Sequence, residues 1–280
     1  MFKKTVLAAL LAAPLSALAL PTTFSDVSLG GSNTVTFDQL QISGGGSTIV
    51  LTDSNFNGAL DIGDTFVETG LIAGVGFTDT FGNPISDTGL NVAGGYELWA
   101  VFDPLVGFVS GATFGSVGPL TVQTFTVNFT MPSSVSIFYD TSIGGGYNAG
   151  TSDLIGLATM PTASSFCTVT RTSGIGTPQE TGSCVLEFQF DAAGVTAPGV
   201  WTRDGVDVGD LSGVNLRVDI NVDRFSPAFF SPFYSEIGGT QVVNIDHNGS
   251  AQFLPEPGSL ALVGLGLFGA AALRRRKQQA

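Results

Sequence analysis

The stretch TVQTFTVNF, residues Thr121 to Phe129, has the alternation that an extended strand requires. In a β-strand, successive side chains point to opposite sides of the sheet. The two faces would carry Gln123, Phe125, Val127 and Phe129 on one side and Val122, Thr124, Thr126 and Asn128 on the other. The first face is the more aromatic, so the pattern predicts a half-buried strand with one side in a core.

Runs of the same kind recur along the chain, each rich in Val, Ile, Thr and Phe and bounded by turn-forming residues. They are Thr34 to Ile42, Ser47 to Thr52, Tyr96 to Phe102, Leu120 to Phe129, Ser134 to Tyr139, Cys184 to Phe190, Val214 to Val222 and Thr240 to Ile245. No long amphipathic helical period separates them, and no repeat recurs at a fixed period. The sequence therefore predicts an all-β fold, a β-sandwich of jelly-roll type.

The first 20 residues, MFKKTVLAALLAAPLSALAL, have the layout of a secretory signal peptide. Lys3 and Lys4 form the basic start, an apolar segment follows, and the small residues Ala17 and Ala19 mark a cleavage site. We expect a signal-peptide helix over residues 1–20, export through the Sec machinery, and a secreted β-sandwich domain over residues 21–253.

The charge of the exported part restricts its partners. From Pro21 to Glu256 the chain has 23 acidic residues against Arg171, Arg203, Arg217 and Arg224 and no lysine, a formal charge of −19. Binding to phosphate backbones needs a basic surface, so nucleic acid is excluded as a partner. A strongly acidic exported domain is soluble and attracts cations.

Cys167 and Cys184 are the two cysteines of the chain. The environment after export is oxidising, so they are expected to form a disulfide. The segment between them has β-branched residues at both ends and Gly, Pro and Ser in the middle, a pattern that predicts a hairpin clipped by that bond.

One internal segment carries the pattern of a calcium loop. DSNFNGALDIGD, residues Asp53 to Asp64, follows the template D-x-[DN]-x-[DN]-G. Calcium requires six to eight oxygen ligands, which alternate side chains of a tight loop can supply. The predicted ligands are Asp53, Asn55, Asn57, the carbonyl of Ala59, Asp61 and Asp64.

The segment resembles the calcium loops of EF-hands and dockerins across these residues alone. Its last position is Asp64 where those loops carry Glu, which shortens the usual bidentate ligand. Its flanks, STIVLT and TFVET, predict strands where those families have helices. The alternative is an Asn/Asp/Gly-rich turn that binds no ion.

Catalysis has weaker support in the sequence. His247, the single histidine, lies in NIDHNGS, which predicts a surface position in a polar turn, and no GxSxG motif is present. We therefore expect no enzymatic activity. The alternative is a pair of carboxylates of the kind that hydrolyses glycosidic bonds.

The C-terminal segment, residues 254–280, combines three features. Pro255, Glu256 and Pro257 precede an uncharged apolar run, and a basic cluster follows, formed by Arg274, Arg275, Arg276 and Lys277. The apolar run predicts a short transmembrane helix, with the basic cluster on the cytoplasmic side.

This order of motif, helix and basic stop resembles the PEP-CTERM sorting signal of exported bacterial proteins. The resemblance implies recognition by an exosortase, a membrane cysteine protease-transpeptidase, after transient anchoring in the inner membrane. It also implies a final place at the cell surface or in the extracellular matrix, next to exopolysaccharide. We expect a structural or adhesive protein of biofilm or floc; the alternative is a carbohydrate-binding module or glycan-active hydrolase with the same tail.

Overall fold

The computed structural model describes residues 21–130, 133–161, 165–173, 179–190, 197–211, 214–225 and 239–255. The predicted signal-peptide helix and the predicted C-terminal helix lie outside these ranges. The described residues form strands and two short 3-10 helices, Val27–Leu29 and Val208–Asp210, which confirms the all-β prediction. The strands are β1 Thr22–Ser25, β2 Thr34–Phe37, β3 Gln39–Thr52, β4 Thr65–Thr78, β5 Glu97–Val117, β6 Leu120–Thr130, β7 Ser134–Asp140, β8 Asp153–Thr159, β9 Phe166–Ser173, β10 Gln179–Phe190, β11 Trp201–Arg203, β12 Val206–Asp207, β13 Val214–Phe225 and β14 Thr240–Pro255.

Most strands belong to one large antiparallel sheet, in the order β13-β14-β3-β4-β5-β6-β9-β10-β8-β7. β10 also pairs with β13, from Gly182 opposite Val222 to Gln189 opposite Asn215. The ladder thus returns to its first strand, and we call this ring the closed sheet. Large antiparallel sheets agree with the sandwich-like prediction. Neighbouring strands are mostly consecutive hairpins, which differs from the crossing connections of the predicted jelly roll.

The long strand β5 changes partner midway. Its first part pairs with β7 as far as Asp103, and its second part pairs with β6 from Val106 onward. Pro104 lies between the two parts, where its missing N–H interrupts neither ladder. The predicted strand ended at Phe102, whereas β5 continues to Val117 because pairing with β6 carries it past the proline.

The closed sheet has two different ends. At the first, which we call the loop end, a loop over residues 53–64 joins β3 to β4. At the opposite end, the small-sheet end, a second sheet of order β12-β11-β1-β2 packs over the interior. β14 runs between them, from Thr240 opposite Thr52 to its last residue Pro255.

The small-sheet end is filled by aromatic rings. Phe24 of β1 is fully buried, with the rings of Tyr96 and Trp201 each at a centroid distance of 4.9 Å. Phe253 of β14 packs on Trp201 of β11 and Phe37 of β2, both in the small sheet. Such rings bury the largest apolar areas available to a core, so this end is closed by hydrophobic packing.

A glycine segment in β3 lets two strands approach closely. The pairing of β3 with β4 shifts register between Ser43 and Ser47, which marks a bulge around Gly44 to Gly46. A Cβ added to Gly45 would lie 1.7 Å from the carbonyl oxygen of Leu71, so no larger residue fits there.

Candidate functional site

The loop with the calcium pattern connects two paired strands. Thr52 at the end of β3 lies opposite Thr65 at the start of β4, so residues 53–64 form a long hairpin connection. Backbone bonds between Gly63 and Val109 (2.9 Å) and between Val109 and Asp64 (2.8 Å) fix the loop to β5. Leu60 packs against the core. The flanks are strands, as the departure from helical calcium loops predicted.

Two buried carboxylates hold the loop together. Asp53 accepts hydrogen bonds from the backbone N–H groups of Asn57 (3.2 Å) and Gly58 (2.8 Å). Asp64 accepts from the N–H groups of Ser54 (2.9 Å) and Asp61 (3.0 Å). Each carboxylate therefore spans the loop and satisfies backbone donors that a turn would otherwise expose.

The third carboxylate, that of Asp61, accepts hydrogen bonds from the two asparagines of the loop. The side-chain amides of Asn55 and Asn57 donate to its two oxygens at 2.6 and 2.5 Å. The backbone N–H of Ala59 donates to Oδ1 of Asn57 at 2.7 Å. The structure thus brings Asn55, Asn57, Ala59 and Asp61 together, while Asp53 and Asp64 brace the base of the loop.

Within the described ranges, no group of three or more His, Cys, Asp and Glu side chains is arranged to hold a metal ion. In the loop, the asparagine amides turn their N–H₂ groups toward Asp61. A half-turn of each amide would present an oxygen instead, the ligand atom that calcium prefers. The residues that the sequence predicted as ligands thus form an internal hydrogen-bond network.

Two residues give the loop its sharp turn. Gly58 has φ 78°, and Phe56 has φ 62°, a left-handed conformation that is uncommon for a residue with a side chain. The Phe56 ring is 69% exposed. The loop therefore presents an aromatic ring to solvent beside its acidic network.

The predicted disulfide is present. Cys167 of β9 and Cys184 of β10 lie directly opposite each other and are bonded. Both are buried and face the interior of the closed sheet. The bond links β9 to β10. The antiparallel pairing of these two strands confirms the hairpin expected from the segment between the cysteines.

His247 is buried, so the prediction of a surface position in a polar turn was wrong. It lies within β14, and its Nε2 is 2.6 Å from Oε1 of Glu68 on β4. Both side chains are more than nine-tenths buried, and no described residue hydrogen-bonds to Nδ1 of His247. The burial of His247 could have been predicted from the alternation along β14. The buried side chains of that strand share its inner face: Ile245, His247, Ala251 and Phe253.

Two apolar cavities lie inside the closed sheet. One, of about 60 Å³, is lined by Glu68, His247, the disulfide and residues of β6, including Phe125, Val127 and Phe129. The other, of about 50 Å³, lies toward the small-sheet end and contacts Phe253 and Trp201. The inward face predicted for Phe125, Val127 and Phe129 is thereby confirmed.

The last strand leads directly into the C-terminal segment. β14 ends at Pro255, which lies opposite Val214. The predicted domain boundary was residue 253, so the strand continues into the Pro-Glu-Pro motif. The other predicted sorting residues, Glu256, Pro257, Arg274, Arg275, Arg276 and Lys277, lie outside the described residues, as do Ala17 and Ala19.

Residues 254–277 match the family model of the PEP-CTERM protein-sorting motif. The chain carries an exosortase sorting signal. This confirms the resemblance found in the sequence and supports an exosortase substrate, exported and held transiently at the membrane on its way to the cell surface. No curated protein matches the chain, and no solved structure matches it. No helix within the described ranges has the length and hydrophobicity needed to cross a bilayer.

Proposed function

We propose that this exosortase substrate serves as a structural or adhesive protein of the cell surface or extracellular matrix, bound to exopolysaccharide in biofilm or floc. The sorting motif that follows β14 is the observation that carries the proposal. The motif supports export of the chain and its sorting toward the cell surface.

The architecture suits a mechanical role. Ring closure leaves most backbone groups of the large sheet paired, because β10 meets β13. The disulfide adds a covalent link between β9 and β10. Removing a native disulfide commonly lowers the free energy of unfolding by about 2–5 kcal/mol, so this link helps to keep the domain folded outside the cell.

The loop of residues 53–64 is proposed to bind one calcium ion. Asp53, Asp61 and Asp64 supply charged oxygens, Asn55 and Asn57 supply amide oxygens after rotation, and Ala59 supplies a carbonyl. The charge of −19 over residues 21–256 favours any cation near the surface. Bound calcium would replace the contacts between Asp61 and the asparagines with ionic ones.

Calcium binding is tested by isothermal titration of the purified protein with CaCl₂ after treatment with a chelator. We expect heat that fits one site and a higher melting temperature in the presence of calcium. Magnesium is the matched control, since it requires stricter octahedral geometry and gives up its waters reluctantly. Absence of heat and of thermal stabilisation at millimolar calcium would refute the site.

The matrix role is tested by recovering the protein from cells that express it together with its exosortase. We expect the mature domain to co-purify with exopolysaccharide and to be released when the polysaccharide is digested. A variant with Arg274, Arg275, Arg276 and Lys277 changed to alanine is the control, and it should not reach the polysaccharide fraction. Equal recovery of both proteins with the polysaccharide would contradict sorted delivery.

The alternative is a secreted carbohydrate-binding module or glycan-active hydrolase with the same tail. The exposed Phe56 ring favours sugar contact, because aromatic rings offer sugars an apolar stacking surface. A hydrolase should release reducing sugar from the exopolysaccharide, and substitution of one carboxylate should abolish that release. Binding without turnover would exclude the hydrolase.

A further inference from the structure

The second half of β5 projects past the neighbouring strand β4. The ladder between these strands stops where Thr65 lies opposite Phe108, and the backbone bonds that Val109 makes with the acidic loop are the last on that side. β5 continues to Val117 and is paired there with β6. Among the described residues, no backbone group bonds to the outer side of β5 from Ser110 to Val117, and we call this side the free edge.

The free edge is open to solvent over most of its length. Residues 113–119 are all exposed, and the side chains of Phe114 and Val117 are 65% and 68% exposed. In an antiparallel ladder, every second residue turns its N–H and C=O groups away from the partner strand. The free edge therefore presents a row of backbone donors and acceptors with which a further strand can pair.

Proteins commonly protect such edges with charges, prolines or very short strands. The outermost strand of the small sheet, β12, is protected in this way, because it is two residues long and has Asp204, Asp207 and Asp210 within or beside it. The free edge has the sequence SGATFGSV, which contains neither a charged residue nor a proline. It is thus a long strand edge without the features that prevent pairing.

The distribution of charge indicates which partner this edge fits. No charged residue occurs between Asp103 and Asp140, although residues 21–256 carry a net formal charge of −19. Two copies of the chain that approach through acidic surfaces repel each other, whereas two free edges meet without that local repulsion. The edge is also self-complementary, because two antiparallel strands of the same sequence satisfy each other's backbone groups about a two-fold axis.

We propose that the free edge pairs with the free edge of a second copy of this chain, antiparallel and about a two-fold axis, so that two closed sheets join into a dimer. The axis passes next to Phe114, which lies opposite its own copy as a cross-strand aromatic pair. Phe114 packs edge-on against Phe125 of its own chain, with ring centroids 6.3 Å apart, so the second ring adds to an existing aromatic contact. This interface goes beyond the proposed matrix role, since it rests on the fold and the charge distribution and not on polysaccharide binding.

The proposal is tested by the mass of the full chain in solution, measured by sedimentation velocity over a concentration series in a mild detergent. We expect a dimer that Phe114→Glu and Phe114→Lys each dissociate, because like charges then lie opposite each other. An equimolar mixture of these two variants should dimerise again, since the opposed charges then differ in sign. Phe81→Glu is the matched control, because Phe81 is 88% exposed in a turn and its substitution should leave the dimer intact.

The position of the contact is tested with Phe114→Cys. The two native cysteines of the chain are bonded to each other, so the new thiol is the single free one. Cysteines that lie directly opposite each other across two strands are within the distance that a disulfide spans. Mild oxidation should therefore give a covalent dimer on a non-reducing gel, whereas Phe81→Cys should stay monomeric.

Unfolding midpoints equal to that of the wild type are expected for the charged variants, because Phe114 lies on the surface, and they establish that a lost dimer is not a lost fold. If the charged variants do not fold, the cross-linking of Phe114→Cys decides. Loss of co-purification with polysaccharide would contradict the matrix role and leave the dimer unaffected. A single chain at every concentration up to about 1 mM, a dimer that persists in both charged variants, or equal cross-linking at positions 114 and 81 would overturn the proposal.

Discussion

The two ends of the closed sheet are held together by different physical means. At the loop end, three carboxylates and two amides organise residues 53–64 through hydrogen bonds. At the small-sheet end, fully buried rings such as Phe24 and Trp201 exclude water. Hydrophobic burial supplies most of the free energy of folding, whereas a polar loop can reorganise around an ion. Hydrophobic stabilisation is thus concentrated at the small-sheet end, and the proposed calcium binding is at the loop end.

The largest contrast should come from removing one phenylalanine at each end. Phe24→Ala deletes a fully buried ring and is expected to lower the free energy of unfolding by about 4 kcal/mol. Phe56→Ala removes a ring that is 69% exposed and should change it by no more than about 0.5 kcal/mol. Urea unfolding of both variants measures the difference, and equal losses would contradict the comparison.

Breaking the buried contact between Glu68 and His247 should give the next largest loss of stability. Glu68→Ala leaves Nε2 of His247 without its partner in an apolar interior, at an expected cost of about 3 kcal/mol. The control is Arg217→Ala, which breaks a salt bridge whose side chains are each 35% exposed and should cost about 0.5 kcal/mol.

The double variant Glu68→Leu with His247→Leu sharpens this prediction. Replacing both members of a buried pair with apolar residues is often neutral, so much of the stability should return. A double variant that unfolds at the same urea concentration as Glu68→Ala would show that the pair does more than satisfy its own hydrogen bond.

The two ends should also differ in how substitutions there change the stabilisation by calcium, and this effect is expected to be smaller. Asp53→Asn removes a charged oxygen of the proposed calcium site and should abolish the stabilisation expected from calcium, about 2.7 kcal/mol at a hundred times the dissociation constant. Asp204→Asn, in an exposed turn near the small-sheet end, should retain it fully. Thermal melting with and without calcium provides the measurement, and retention of the shift in Asp53→Asn would argue against the loop as the site.

The smallest predicted effect is a pH dependence at the small-sheet end. Burial, together with the nearby charge of Asp26 and the hydrogen bond to it, raises the pKa of Tyr139 to about 12. An unfolded tyrosine ionises near pH 10, so the unfolded chain loses this proton first and stability declines as the pH rises from about 10 to 12. Tyr139→Phe should flatten the decline in unfolding midpoint over that window, and an unchanged slope would contradict the assignment.

Local sequence patterns were sufficient for the all-β class, the hairpin between Cys167 and Cys184, and the strand flanks of the acidic loop. They were insufficient wherever distant segments decide the outcome. β5 continues past Pro104 because two different strands pair with its two parts, and ring closure depends on β10 meeting β13. His247 was assigned to a turn because its polar neighbours concealed the alternation that places it inside.

The length of β14 sets the distance between the acidic loop and the start of the sorting tail. The strand spans Thr240 to Pro255, and at about 3.3 Å per residue it is about 50 Å long. The sequence that follows β14 starts at the small-sheet end, whereas the Phe56 ring lies at the loop end, where β14 begins. This distance exceeds the Debye length of about 8 Å at physiological salt several times, so charges next to Pro255 are screened before they act on the acidic loop.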